Sequence, residues 1–137
     1  MFSHVILGAN DLEASRKFYD AALATLGIGG PAHDPKGRYF YRTPTGIFGI
    51  TNPINGEPAT HGNGFTLGFA AESPEAVDAW HKAGVEAGGK DCEDPPGIRE
   101  GAGVKMYIAY LRDPAGNKIC ALHRLSLIHI SEPTRHR

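Results

Sequence analysis

Apolar and polar positions follow two periods along this chain, and the same succession occurs twice. From Ser3 to Ala9 side chains alternate, with Val5 and Leu7 on one face and Phe2, His4, Ile6 and Gly8 on the other. The pattern then lengthens: Leu12, Ser15, Phe18, Tyr19, Ala22, Leu23 and Leu26 recur at steps of three and four, which predicts a helix over about 12–26. Asn10 or Asp11 supplies the N-cap and Gly27 the stop. At an offset of 62 the succession repeats. Phe65 to Ser73 aligns with Ser3 to Asp11, and a second helix over about 74–87 carries Ala76, Val77, Trp80, Ala83 and Ala87 as its stripe. Ser73-Pro74 is a strong helix start, and Gly88-Gly89 end the helix. Phe18 and Trp80 fall on equivalent mid-helix positions, so both are expected in the core.

Strands follow each helix. Tyr39-Phe40-Tyr41-Arg42-Thr43-Pro44-Thr45-Gly46 matches Ala109-Tyr110-Leu111-Arg112-Asp113-Pro114-Ala115-Gly116 at an offset of 70. Each ends in a Pro- and Gly-containing turn, and strands over 47–51 and 118–122 are expected beyond. The growth of the offset from 62 to 70 puts a longer connection in the second copy, which contains Cys92 to Gly101. The chain therefore reads as two strand–helix–strands modules, about 1–60 and 61–124, joined by a link at His61-Gly62-Asn63-Gly64.

Composition narrows the function classes. With 14 Lys+Arg against 15 Asp+Glu among 137 residues, no basic field is available for a phosphate backbone, so nucleic acid is not an expected partner. No apolar run reaches the roughly 20 residues that span a bilayer. The 2 cysteines, Cys92 and Cys120, are too few for a disulfide framework, so a reduced, cytoplasmic setting is expected. A Gly-x-Ser-x-Gly elbow, a phosphate-binding Gly-Lys-Ser/Thr loop, a Cys-x-x-Cys pair and a His-Glu-x-x-His helix are all missing.

The repeat, the His4 strand running into Asn10-Asp11-Leu12-Glu13, and the closing Tyr110-Leu111-Arg112-Asp113-Pro114-Ala115-Gly116-Asn117-Lys118 resemble the vicinal oxygen chelate superfamily. That superfamily includes glyoxalase I, fosfomycin-resistance transferases, extradiol dioxygenases and bleomycin-resistance proteins. The resemblance covers nearly all of residues 1–124. It implies an α+β fold, in which two tandem βαβββ modules form one curved mixed sheet around a cleft, with helices outside. The last residues, 125–137, are set apart: Leu125 to Arg135 resembles a sequencing adapter translated in frame, and the tail is expected to lie outside the native domain.

The resemblance also implies where a metal would sit. The family's metal enzymes carry His, His and Glu on the first and last strands of each module. The offsets place His4 and Thr66 at the first-strand positions, and Ile50 and Cys120 at the last-strand ones. Only His4 is a standard ligand, so no metal or other cofactor is expected, and a divalent ion is disfavoured.

Other residues carry two readings each. His4 either forms part of the cleft wall through a structural hydrogen bond or acts as base or ligand contact. Cys120 is either a small buried hydrophobe or a nucleophile activated by His4. Tyr39, Tyr41 and Tyr107 either face an organic ligand or are ordinary sheet packing. Arg99, in the insertion, either clamps a carboxylate or phosphonate or is solvated. Arg42 and Arg112, beside the two turns, are expected to be structural, and His33 and His81 solvated. Two functions follow: a metal-free protein binding a small organic molecule, alone or as a homodimer, and a lactoylglutathione-lyase-like enzyme or transferase acting on an oxygenated or thiol-conjugated substrate.

Overall fold

The computed structural model describes residues 1–127. The first module comprises β1 (His4–Gly8), α1 (Leu12–Ala24), β2 (Ala32–His33), β3 (Tyr39–Thr43) and β4 (Gly46–Thr51). The second comprises β5 (Leu67–Ala70), α2 (Pro74–Glu86), β6 (Lys90–Asp91), β7 (Gly97–Gly101), β8 (Val104–Arg112) and β9 (Lys118–Leu127). The class is α+β with the expected two modules. The strands fall into two sheets, ordered β1-β4-β3-β2 and β5-β9-β8-β6, with β7 also paired to β8. In each sheet the first strand runs parallel to the last, β1 with β4 and β5 with β9.

The helices begin and end as their sequences dictate. The Asp11 side chain accepts the Ala14 amide, and the Ser73 hydroxyl oxygen accepts the Ala76 amide. Gly27, at φ 80°, reverses the chain so that the Ile28 amide donates to the Leu23 carbonyl. Gly88 does the same at φ 110°, and the Gly89 amide donates to the Gly84 carbonyl. Helix α1 stops at Ala24, two residues short of the expected end, because the chain tightens through Thr25 and Leu26 before Gly27.

One core unites both modules. Phe18, Tyr19, Ala22 and Leu23 of α1 meet Val77 and Trp80 of α2, together with Tyr41, Phe48 and Ile50 of the first sheet and Ala109, Leu111, Ile119 and Ala121 of the second. Gly84 was absent from the expected α2 stripe. A Cβ there would stand 2.4 Å from Leu111 Cδ1 and 3.2 Å from Phe18 Cε1, so the missing side chain lets α2 approach both neighbours.

A buried polar junction crosses the same core. The Tyr19 hydroxyl donates to Asp113 Oδ2 at 2.6 Å. Asp113 also accepts from the Ala115 and Asn117 amides and from Asn117 Nδ2. Asn117 Nδ2 donates in turn to the Gly8 carbonyl of β1 at 3.0 Å. Burial, and then the Asp113 carboxylate, push the Tyr19 phenol well above its ordinary range, so this hydroxyl stays a donor.

Two expectations about the second module change. The connection over 92–101 is not all loop: Gly97–Gly101 pairs with β8 as a hairpin closed by Ala102 and Gly103, both at positive φ. Alanine is an unusual residue for the first of these positions, which hid the turn. The tail expected to start at Leu125 contributes to β9 as far as Leu127, where Ser126 and Leu127 pair with Lys105 and Val104. The remainder of that tail lies outside the described residues.

Phe18 and Trp80 are fully buried, so Phe18→Ala and Trp80→Ala should each lower stability by about 3–5 kcal/mol in denaturant titration. Tyr19→Phe keeps the ring and removes only its donor to Asp113. It should cost about 1.5–3 kcal/mol, the range for a hydrogen bond to a charged group, and a loss under about 0.5 kcal/mol would show that the junction is not a tether.

Candidate functional site

The ladders decide which residues face the core and which face away. In the first sheet, Val5, Leu7, Tyr41, Phe48 and Ile50 pack with the helices. Residues paired across strands share a face. The opposite face therefore carries His4, Ile47 and Arg42 in one row across β1, β4 and β3, and Ile6, Gly49 and Phe40 in the next. In the second sheet Ala109, Leu111, Ile119 and Ala121 face the core, while Gly68, Cys120 and Tyr110 form a row on the other side.

This register corrects one site position. The offset of 70 set Ile50 against Cys120. The ladders pair Gly49 with Ile6, as Cys120 pairs with Gly68, so Gly49 is the counterpart of Cys120. Four residues separate the paired Arg42 and Ile47, and five separate Arg112 and Lys118. That extra residue slips the register by one, which moves a side chain to the opposite face. Ile50 is accordingly a core residue, 1% exposed. At Gly49 the Phe40 ring takes the room: a Cβ would lie 2.8 Å from it.

The tyrosines named from sequence also have other duties. Tyr39 and Tyr41 both reach α1 with their hydroxyls. The Tyr39 hydroxyl donates to Glu13, and the Tyr41 hydroxyl donates to Asp20 at 2.7 Å. Burial, and then the Asp20 hydrogen bond, raise the Tyr41 phenol far above its ordinary value. Tyr107 likewise donates to Asp78 of α2 at 2.7 Å, which raises its phenol. The tyrosine beside Cys120 is Tyr110, with the Lys118 ammonium 4.9 Å from its ring centroid. Arg99 lies on strand β7 rather than in a loop, and its guanidinium donates to the Pro95 carbonyl at 2.7 Å. Of the two histidines expected to be solvated, His33 is exposed and stacks on Tyr39 at 4.4 Å between ring centroids, whereas His81 is partly buried and meets Asp91 at 2.6 Å.

Cys120 is buried, and burial pushes its thiol up to about 11. Lys118 opposes this shift, and Glu93, ion-paired to Lys118, adds to it. A neutral thiol is neither a nucleophile nor a ready ligand at neutral pH. Thr66 lies just before β5 and is exposed. Among the described residues, no three His, Cys, Asp or Glu side chains converge where a metal ion could sit. The donor set at the family's metal positions, His4, Thr66, Gly49 and Cys120, thus offers one imidazole, a hydroxyl, no side chain and a protonated thiol, which does not fit a divalent ion.

The structure does assemble a hollow of about 540 Å³ between the modules. The first module contributes the chain around His4, the β3–β4 hairpin and the segment Leu26–Ile28 after α1; the second contributes β5 from Leu67 to Ala70. Phe2, Ile28, Ile47, Phe48, Leu67 and Phe69 make the wall largely apolar, and Phe48 and Phe69 meet edge to face at 5.3 Å across the module boundary. His4 and Arg42 are polar groups in that wall. His4 Nδ1 is 2.7 Å from the Ser3 hydroxyl. Of the residues proposed from sequence, His4 and Tyr41 border the hollow; Tyr39, Thr66, Arg99, Tyr107 and Cys120 do not. Arg42 is the residue that sequence reasoning passed over. Its place beside the turn, like that of Arg112, points to a structural role, whereas alternation puts it on the face opposite Tyr41.

Comparison with known proteins agrees with this architecture. The family model described as the glyoxalase/bleomycin resistance protein/dioxygenase superfamily matches residues 1–121. Among solved structures, a glyoxalase/bleomycin resistance protein from Albidiferax ferrireducens T118 shares 68% identity at a TM-score of 0.88, over 90% of this chain and 99% of that one. A glyoxalase-related enzyme from Fulvimarina pelagi shares 20% at a TM-score of 0.69, over 90% and 87%. Lactoylglutathione lyase from Agrobacterium tumefaciens shares 20% at 0.60, over 90% and 92%. These last two show the fold alone. No curated protein matches the chain.

The two cysteines should differ in reactivity. Cys92 is partly exposed and Cys120 is buried with its thiol raised. In the folded protein at pH 7.5, iodoacetamide should modify Cys92 at least about tenfold faster than Cys120, read by peptide mass spectrometry. Faster labelling of Cys120 would restore it as a candidate nucleophile.

Proposed function

Because the chain belongs to the glyoxalase/bleomycin resistance protein/dioxygenase superfamily, we propose that it binds a small organic molecule in the hollow between its modules, without the metal ion of the family's metal enzymes. The observation that carries this is the hollow itself. Its volume of about 540 Å³ falls in the range of small-molecule sites, and its wall is apolar with few polar groups, which is the composition such sites have. The donor set at the metal positions supports the metal-free part. Cys120 belongs to the packing in this account, and Tyr39, Tyr41 and Tyr107 brace the sheets on the helices. Thr66 and Arg99 border no part of the hollow and have no assigned role in it.

A lyase or transferase is the second reading, and His4 is what favours it. Its ring stands in the wall of the hollow, with Nδ1 held by Ser3, so Nε2 is the nitrogen that would meet a substrate as base. The proposed setting is the cytoplasm, as a homodimer: among the described residues β1 and β5 each end a sheet and leave a ladder edge open. Among the described residues no helix is long and apolar enough to cross a membrane.

The test has two arms on chelator-treated protein at neutral pH. Calorimetric titration with Ni, Mn, Fe and Zn should show no stoichiometric, submicromolar site. The neutral dye N-phenyl-1-naphthylamine should bind saturably at one site, and Ile28→Trp, which fills the hollow from the loop after α1, should abolish that binding with the fold checked by circular dichroism. Tight metal binding lost in His4→Ala would overturn the metal-free reading. Dye binding that survives Ile28→Trp, or no dye binding at all, would overturn the hollow as the site.

A further inference from the structure

We propose that the hollow selects a ligand made of an apolar body and one anionic group, carboxylate, sulfonate or phosphonate in type, with Arg42 holding the anion. The inference rests on the hollow being the binding site. Among the described residues, Arg42 is the only Lys or Arg that borders it, the Met1 amino terminus being the other cationic group there, and no Asp or Glu does. Arg42 is exposed, so its guanidinium is free to turn to an anion beside that apolar wall.

Arg42 is also uncommitted, which is unusual for the arginines near it. Arg16 is paired with Glu13 and Asp20, and Arg38 with Asp34. Arg112, the repeat counterpart of Arg42, donates to the Gly116 carbonyl at 2.9 Å inside the longer second turn. The first turn is shorter. Its Gly46 carbonyl already accepts the Thr43 hydroxyl at 2.7 Å. Among the described residues, Arg42 makes no hydrogen bond, ion pair or aromatic stack. The same one-residue difference between the hairpins that displaced Ile50 from the open face thus leaves this guanidinium without an internal acceptor.

Position completes the argument. Arg42 and His4 flank Ile47 in one row across three strands. Neighbouring strands lie about 4.8 Å apart, so the two backbones are about 10 Å from one another with an aliphatic side chain between them. A ligand whose anion engages the five-donor fork of Arg42 can lay its apolar part over Ile47, which shares that face. Guanidinium, unlike ammonium, presents paired donors in a plane, which suits the two oxygens of such a group.

Two dyes sharing an anilinonaphthalene body test this. N-phenyl-1-naphthylamine is neutral, and 8-anilinonaphthalene-1-sulfonate carries one anion. The native chain should bind the anionic dye at least about tenfold more tightly by fluorescence titration, and the preference should shrink as salt is raised. In Arg42→Gln the preference should fall below about twofold; Arg42→Lys should restore part of it. Ile28→Trp should exclude both dyes. Equal affinity for the two in the native chain, or a preference that survives Arg42→Gln, overturns the anion selectivity while leaving the hollow as a binding site. Anionic-dye binding that persists in Ile28→Trp places that dye elsewhere and also overturns the proposal. Failure of both dyes on the native chain removes the hollow itself, and this inference with it.

Discussion

The Asp113 carboxylate is the constraint on which the two halves depend. It is buried, and a buried carboxylate is costly unless its lone pairs are filled. Here the Tyr19 hydroxyl, two backbone amides and the Asn117 side chain fill them. The donors come from both modules, and Asn117 also reaches the Gly8 carbonyl. One anion therefore orders the β8–β9 turn, ties that turn to α1 and anchors the end of β1. If the modules separated, the same charge would lose its phenol donor.

Hydrophobic packing surrounds that junction and sets where the binding surface can be. Both helices and one face of each sheet share a single core, to which Tyr41, Phe48 and Ile50 belong, and of these Tyr41 and Phe48 also border the hollow. The remaining space at the module boundary is rimmed by apolar side chains. It lies where the first sheet ends, where α1 has just been turned by Gly27, and beside β5, the end strand of the second sheet among the described residues. The hollow thus follows from how the two modules meet.

The family's fold hosts chemistries that depend on donor residues at a few strand positions. In this chain the two last-strand positions hold residues that leave space or pack. Gly49 makes room for the Phe40 ring, and Cys120 is buried against Gly68. Two of the polar groups that border the hollow, His4 and Arg42, come from one sheet row of the first module. Recognition by charge and shape is consistent with that arrangement, since it needs no convergence of ligands from four strands.

Much of this was legible in the sequence because it depends on local periods. The three- and four-residue stripe through Phe18 and Tyr19, the caps at Asp11 and Ser73, and the duplicated turn motifs place the helices, most strands and the module boundary. They also carry the family resemblance. Two kinds of feature were not legible. Face assignment beyond the hairpins needed the register, and one additional residue in the second turn moved Ile50 into the core and brought Gly49 into its place. Side-chain commitment needed three dimensions: Tyr39 and Tyr41 bond to α1, Arg112 bonds to its own turn, and Arg42 has no such acceptor. Periodicity reports which residues share a face of an element, whereas hydrogen-bond partners and the space between modules depend on elements distant in sequence, and those only the folded chain brings together.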